Sequence, residues 1–289
     1  MSAIEQATRN DRSVILATNE LLAFADGTGL AAIHGVDADF DELRAAPGAT
    51  RRVELGLESL IRRGLAQVNV AGEIEFGLML RALVGGAAMA DGVITLTRVN
   101  AGTAESVVHI LRTPEITLTC QQRDRDIWAF TALIPPEAAL ALAGEFLLGM
   151  TPIDQPRDVV ARLSVSAFAT LLSELQEEEA TGPHSVLVAA GIPTEAADDL
   201  LDDMRNRSSW TCVVVSNVRA GFSMAMEAVT VVNAATHCWL TRAIEAGGSA
   251  AVEIRAATVA ECRAAVLSLI EAHVSRASAV NTTPAGTGK

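Results

Sequence analysis

Hydrophobic residues in the first ninety positions follow the spacing of helices. After Thr50, the apolar side chains of Val53, Leu57 and Leu60 recur every three or four residues, which predicts a helix with one buried face that ends at Gly64. Three further elements are predicted in this region, namely a helix over residues 18–27, a hairpin over 67–76 and a helix over 78–84.

From Val93 the apolar residues alternate, as they do in β-strands with one buried face. Four strands are predicted between residues 93 and 133, with turns at residues 100–102, at Pro114 and at 123–126. Because such short turns connect antiparallel neighbours, these strands should form a meander. Pro135-Pro136 then begins a helix, since proline fits the first helical turn.

The second half of the chain repeats this order. Helical spacing over residues 165–175 and an acidic amphipathic helix from Thr194 precede four predicted strands between Trp210 and Arg255, and Thr258 begins a closing helix. The repeat predicts an α+β fold with two pseudo-twofold-related halves, each with helices, a four-stranded antiparallel meander and a following helix. We expect one two-lobed body, divided into an N-terminal half (1–150) and a C-terminal half (151–274), with a disordered tail over 275–289.

Charge and apolar run length restrict the partners. The 35 acidic and 22 basic residues give a net charge of −13, which disfavours nucleic acid and anionic lipid surfaces. The longest apolar runs are far shorter than the roughly 20 residues of a membrane span. The amino-terminal residues lack the pattern of a secretory signal, and the four well-separated cysteines are typical of buried, reduced thiols. We therefore expect a soluble, cytoplasmic protein.

No motif of an enzyme active site occurs in the sequence. The chain has no G-x-S-x-G, no G-x-x-x-x-G-K-[ST] and no G-x-G-x-x-G after a strand. The most suggestive metal ligands are His237 and Cys238, but neighbouring strand residues point to opposite faces, so they do not form a ligand pair easily. We expect no catalysis, no metal and no cofactor.

Two segments of the second half are candidates for binding a partner. Met224 and Met226 lie at the second strand of the second meander, where they suggest an adaptable apolar binding edge or, alternatively, core packing. The helix before this meander carries the carboxylate pairs Asp198-Asp199 and Asp202-Asp203. These carboxylates are interpreted as a solvated helix face, with an electrostatic docking surface as the alternative.

The segment from Leu57 to Phe76 has the order of a winged helix-turn-helix, a helix followed by a hairpin. Arg62 and Arg63 would then be its phosphate contacts. The net charge of −13 and the lack of a basic recognition helix argue against binding to DNA.

Several stretches of the chain resemble one known family. They are Glu20-Leu21-Leu22 before Gly29-Leu30, Leu60-Ile61-Arg62-Arg63-Gly64-Leu65-Ala66, the strand-to-helix segment Trp128-Ala129-Phe130-Thr131-Ala132-Leu133-Ile134-Pro135-Pro136, and the alanine-rich second copy ending with Val252 to Leu269. In length, order and periodicity, residues 13–272 resemble the EspG family, the cytosolic chaperones of mycobacterial type VII secretion. Members of that family recognise PE–PPE heterodimers by the helical tip of the PPE partner.

This resemblance implies a binding function without chemistry. A body of this kind would offer the surface of its sheet and a helical bundle to an apolar helix tip, as a monomer or a homodimer. The residues predicted to bind the partner, by region, are Met224, Met226, Val229, Val231, Asp198, Asp202 and Arg205. Two alternatives remain open: a small-molecule or catalytic site in a cleft between the halves, and a winged-helix DNA-binding regulator.

Overall fold

A computed structural model of the chain describes residues 12–134, 137–147, 159–174, 182–219, 222–234, 237–246 and 248–280. The strands are β1 (Ser13–Ala17), β2 (Ala66–Val68), β3 (Ile74–Phe76), β4 (Gly92–Asn100), β5 (Ser106–Arg112), β6 (Thr117–Asp124), β7 (Ile127–Ala132), β8 (Val160–Ser164), β9 (Ser209–Arg219), β10 (Phe222–Asn233), β11 (Cys238–Ala246) and β12 (Ser249–Ala257). The helices are α1 (Thr18–Thr28), α2 (Phe40–Ala45), α3 (Ala49–Arg62), α4 (Leu78–Leu80, the π-helical Arg81–Gly85 and Gly86–Ala88), α5 (Ala138–Phe146), α6 (Val165–Glu174), α7 (Gly182–Ala189), α8 (Thr194–Arg205) and α9 (Val259–Val280).

Ten of the strands form one antiparallel sheet, and the α+β class predicted from the sequence is confirmed. Its order is β1-β7-β6-β5-β4-β9-β10-β11-β12-β8, while β2 and β3 form a separate hairpin. The two predicted meanders are β4–β7 and β9–β12, and they join edge to edge where β4 pairs with β9. In both halves a five-residue strand passes directly into a helix and pairs with the last strand of its meander. The connectivity therefore repeats, and the pseudo-twofold axis itself stays a prediction.

Helices cover both faces of the sheet and bury three apolar cores. We call the face that carries Val93 and Trp239 the front and the face that carries Leu96 and Leu240 the back. On the front, α1, α3 and α4 cover β5–β7 at one end, and α6, α7 and α8 cover β11, β12 and β8 at the other. On the back, α5 and α9 pack on the central strands. The alternation of side chains along each strand supplies both faces at once.

Several helix boundaries follow the predicted signals. Gly64 has a φ of 69° directly after α3, the left-handed conformation in which glycine commonly follows a helix. Thr258 and Glu261 cap α9 reciprocally, each side chain accepting the other's backbone N–H. Thr194 is the first residue of α8 rather than its cap, which is Pro193.

Three features of the chain differ from the sequence-based expectation or lie beyond it. Strands β1 and β8 were not predicted, because five apolar-alternating residues that run straight into a helix carry no turn signal. Helix α9 continues to Val280, so residues 275–280 are helical where the tail was expected to begin. Pro135-Pro136 and residues 281–289 lie outside the described residues.

Candidate functional site

The two helical groups on the front face leave the middle of the sheet uncovered by any described helix. Strand register places two rows of side chains there, because directly paired residues share a face. We call this surface the open strip; its members are Thr95, Thr97, Val107, His109, Cys212, Val214, Ala228 and Thr230, each of which is partly exposed.

Small side chains make the open strip nearly flat. One row runs from Val107 through Thr97 and Cys212 to Thr230. It presents the methyl groups of the valine and the two threonines, together with two hydroxyls and one thiol. The Thr230 hydroxyl donates to the Cys212 sulfur at 3.4 Å, so these two polar groups of the row satisfy each other. Such a surface offers van der Waals contact and a few hydroxyl groups, as an interface for another protein's side chains requires.

The first-half end of the open strip is polar. His109 Nδ1 lies 3.1 Å from the Thr95 hydroxyl, and burial lowers the pKa of His109 while nearby Asp37 opposes that shift. The loop before α2 packs against this point, where Gly35 sits so close that a Cβ would lie 3.0 Å from Cys120 Cβ. The His109 imidazole therefore forms the polar end of the strip.

The structure separates the residues that were predicted to bind a partner. Val229 and Val231 point to the back face and are 7% and 2% exposed, because they pack in the core beneath α5 and α9. Asp198, Asp202 and Arg205 are exposed on α8, which belongs to the front. The sheet thus lies between the two groups.

Met224 and Met226 belong to β10, but their side chains lie outside the described part of the structure. The methionine binding edge therefore stays a prediction.

One carboxylate of the acidic helix is not solvated, which corrects the interpretation of Asp198-Asp199 and Asp202-Asp203 as one solvent-facing group. Asp203 is 6% exposed, and its Oδ2 lies 2.8 Å from His237 Nδ1 and accepts the indole N–H of Trp239 at 3.0 Å. Cys238 points to the other face and donates its S–H to Asn233 Oδ1 at 3.4 Å. His237 and Cys238 therefore hydrogen-bond to different groups, and no group of three possible ligands for a metal ion occurs among the described residues.

The chain matches no protein-family model and no curated protein. Its fold, however, has a solved counterpart. It is similar to the Mycobacterium tuberculosis type VII secretion system chaperone EspG5, whose structure was solved in complex with the PE25–PPE41 dimer. The TM-score is 0.61 at 11% sequence identity, over 90% of this chain and 96% of that chain. The fold expected from the EspG resemblance is thus supported by a structural likeness that spans both halves.

The EspG5-like sheet leaves no gap between the halves, because β4 and β9 are hydrogen-bonded neighbours. A groove with a volume of about 1050 Å³ lies instead within the first half, between α1, α3 and the β2–β3 hairpin. It is lined by Ile61, Val68, Phe76 and Leu78 together with Glu75. Glu75 is held by Gln67 and Asn69, whose hydrogen bonds lower the pKa of its carboxyl. The lining of this groove includes no serine, cysteine or histidine.

The helix and hairpin of the predicted winged helix are both present as α3 and β2–β3. Arg63, however, donates to the buried carboxylate of Glu20 at 2.7 Å and to the Ile15 carbonyl at 2.7 Å. One of the two proposed phosphate contacts is therefore engaged inside the protein, whereas Arg62 is exposed at the end of the helix.

The four cysteines divide into three buried thiols and one on the open strip. Burial raises the pKa of Cys120, raises that of Cys238 to about 11 and raises that of Cys262 to about 12. Cys212 is partly exposed between Thr97 and Thr230. The partial exposure of Cys212 could not be predicted from the sequence, because the apolar alternation of its strand is the same as in a strand with a covered face.

No helix among the described residues is long and apolar enough to cross a membrane.

Proposed function

We propose that this protein is a cytosolic secretion chaperone that binds the helical tip of a PE–PPE type heterodimer and keeps it soluble for type VII export. The observation that carries the proposal is the coincidence of an EspG5-like fold with an uncovered strip at the centre of its sheet. The chain covers nearly the whole length of a chaperone that was solved with a PE–PPE dimer.

The open strip is the surface on which we place the helix tip. Its row of Val107, Thr97, Cys212 and Thr230 offers three side chains with methyl groups and one thiol at the spacing of adjacent strands, about 4.8 Å apart. Side chains at one end of a helical bundle can pack into the shallow depressions between such residues, and their burial contributes about 25 cal/mol for each Å² of apolar surface. The walls at either side are α1–α4 and α6–α8, which limit how the tip can be oriented.

Helix α8 supplies the charged rim of the proposed site. Asp198, Asp202 and Arg205 are exposed on the helical group that borders the strip, so charge on this group can select among partners by attraction and repulsion. The net charge of −13 favours dispersion of a loaded complex, since like-charged complexes repel one another. Neither step requires a nucleotide or a metal.

Affinity capture of the tagged chain from the cytosol of its own organism tests this proposal. We expect a PE–PPE type pair to be recovered in a stoichiometric complex and to stay bound when the salt concentration is raised, because an apolar interface is screened little by salt. A matched capture with the Thr97→Arg variant should lose the pair. Recovery of the chain alone, of a metabolite or of DNA would contradict the proposal.

A further inference from the structure

The far edge of the sheet, at β8, has backbone groups without a neighbour among the described residues. Val159 accepts a hydrogen bond from Ala256, and the same register makes Ala161 and Leu163 the residues that bond to β12. In an antiparallel pair the intervening residues point their N–H and C=O groups the other way. The backbone groups of Val160, Arg162 and Ser164 are therefore directed outward.

The opposite edge, at β1, is partly closed by side chains. There Ser13, Ile15 and Ala17 point outward by the same argument. The Ile15 carbonyl accepts a hydrogen bond from Arg63 at 2.7 Å, and the Ala17 N–H donates to Glu20 at 2.9 Å. Proteins block sheet edges in this way to prevent another strand from pairing with them. The β8 edge lacks such a block in the part of the chain that the structure describes.

Positive charge lies beside the open edge on the back face. Arg162 is directly opposite Glu253, which is directly opposite Arg242, so one buried carboxylate serves two arginines. The Arg162 side chain is 65% exposed and uses only its Nε, at 3.4 Å from Glu253. Its two terminal amino groups remain available to an anionic group beyond the edge.

Apolar surface lies on the front side of the same edge. Helix α6 begins immediately after Ser164, and its Val165 is 53% exposed. A strand placed beside β8 would thus meet an arginine on the back and an apolar side chain near the front. Successive side chains of a β-strand point to opposite faces, so the residues of such a strand would meet these two sides in turn.

We propose that the β8 edge binds an extended segment of a partner protein in which acidic and apolar residues alternate. The segment adds to the sheet as an antiparallel strand, with an acidic residue opposite Arg162 and apolar residues opposite Ala161 and Leu163. Backbone hydrogen bonds to Val160, Arg162 and Ser164 provide affinity, and the alternating side chains provide specificity.

A second copy of the chain is a poorer occupant of this edge. Two β8 strands paired about a twofold axis centred on the five-residue strand would place Arg162 opposite its own copy. Like charges directly opposite one another destabilise a strand pair. The charge at the edge therefore favours an acidic segment over self-association.

The test uses the full chain and a fluorescent peptide of alternating glutamate and valine, with binding followed by anisotropy. We expect the peptide to bind, a lysine–valine peptide not to bind, and Arg162→Gln to weaken binding about fivefold. Arg123→Gln, which removes an exposed arginine of β6, should leave binding unchanged. Circular dichroism of both variants separates a loss of binding from a loss of fold.

Backbone methylation of the peptide tests the strand register directly. In the proposed antiparallel pair the glutamate N–H groups face β8 and the valine N–H groups face solvent. N-methylation of the central glutamate should therefore abolish binding, whereas N-methylation of a neighbouring valine should not. Equal binding of the two methylated peptides would overturn the proposal. Self-association through the β8 edge would also overturn it; it would be seen as a dimer of the chain that forms without peptide and whose dissociation constant changes with Arg162→Gln.

Discussion

Trp239 donates its indole N–H to Oδ2 of Asp203 across 3.0 Å, and this bond joins α8 to the start of β11. The same oxygen lies 2.8 Å from His237 Nδ1, so one buried carboxylate contacts a side chain of β11 and the residue directly before that strand. The helical group α6–α8 is thereby attached to the sheet at a defined position. Helix α8 belongs to the helical group that borders the open strip, so this attachment helps to hold one side of the strip in place.

Replacing Asp203 by alanine should lower the free energy of unfolding by about 3 kcal/mol, because two buried donors lose their acceptor. Urea unfolding followed by circular dichroism measures the change. Asp202→Ala provides the matched control, since Asp202 is exposed on the same helix and should shift stability by less than about 0.5 kcal/mol. An equally small loss of unfolding free energy in Asp203→Ala and Asp202→Ala would show that the hydrogen bonds of Asp203 contribute little to stability.

Glu20 is the corresponding buried carboxylate of the first half. It is 4% exposed and accepts hydrogen bonds from Ser59 at 2.7 Å, from Arg63 at 2.7 Å and from the Ala17 N–H at 2.9 Å. We expect Glu20→Ala to cost about 3 kcal/mol, because a buried ion pair loses one member and β1 loses its link to α3.

Thermal and urea unfolding of Glu20→Ala should be compared with Glu54→Ala. Glu54 pairs with Arg51 on the exposed side of α3, where an ion pair contributes little. A stability loss in Glu54→Ala as large as that in Glu20→Ala would contradict the assigned role of burial.

Lowering the pH should destabilise the protein through His34 and His109. Burial lowers the pKa of both imidazoles below the ordinary value of 6.5, so the folded protein holds them neutral while the unfolded chain takes up protons more readily. The free energy of unfolding is therefore not reduced by these two histidines above pH 6.5, and it decreases as the pH falls below 6.5.

Urea midpoints measured at intervals from pH 8 to pH 5 test this sign, and the pH dependence of His109→Gln should be shallower than that of the parent. Asp37 opposes the lowering of the His109 pKa. The urea midpoint of Asp37→Asn should therefore depend more steeply on pH than that of the parent. A midpoint that rises toward pH 5 would contradict this account.

The sequence predicted the long elements because each carries its own periodicity. The eight meander strands and α3 are examples, since a pattern of alternate or every-third-residue apolar positions needs no knowledge of the rest of the chain. The pairing of β4 with β9 was not predictable in the same way, because it joins residues more than one hundred positions apart. The burial of Asp203 depends likewise on a partner 34 residues away.

The open strip could not be found from the pattern. Thr97, Cys212 and Val214 have the same spacing as any residue on a covered sheet face, and only the positions of α1–α4 and α6–α8 leave them uncovered. For the same reason Val229 and Val231 were selected as binding residues although their side chains lie on the back of the sheet. Strand alternation shows which residues share a face, but not which face a helix occupies.

A large charged side chain in the open strip should block the proposed partner without unfolding the protein. We expect Thr97→Arg or Thr230→Arg to weaken binding of a PE–PPE type heterodimer by about tenfold or more, because the charge would be desolvated at the centre of the interface. Thr103→Arg, in the exposed turn after β4, is the matched control and should bind normally. Isothermal titration calorimetry measures the affinities, and undiminished binding by both strip variants would place the partner elsewhere.

Alkylation of Cys212 tests the central claim most directly, because this thiol lies within the open strip. Reagents attack the thiolate, and at pH 8 a thiol whose pKa is raised to about 11, as at Cys238, is ionised only to about one part in a thousand. Cys120 and Cys262 are likewise buried with a raised pKa, so Cys212 should be the first cysteine that iodoacetamide modifies in the folded chain. In a stoichiometric complex with the PE–PPE type pair, we predict that alkylation of Cys212 slows at least about tenfold. An unchanged rate in that complex would contradict the assignment of the open strip as the binding surface.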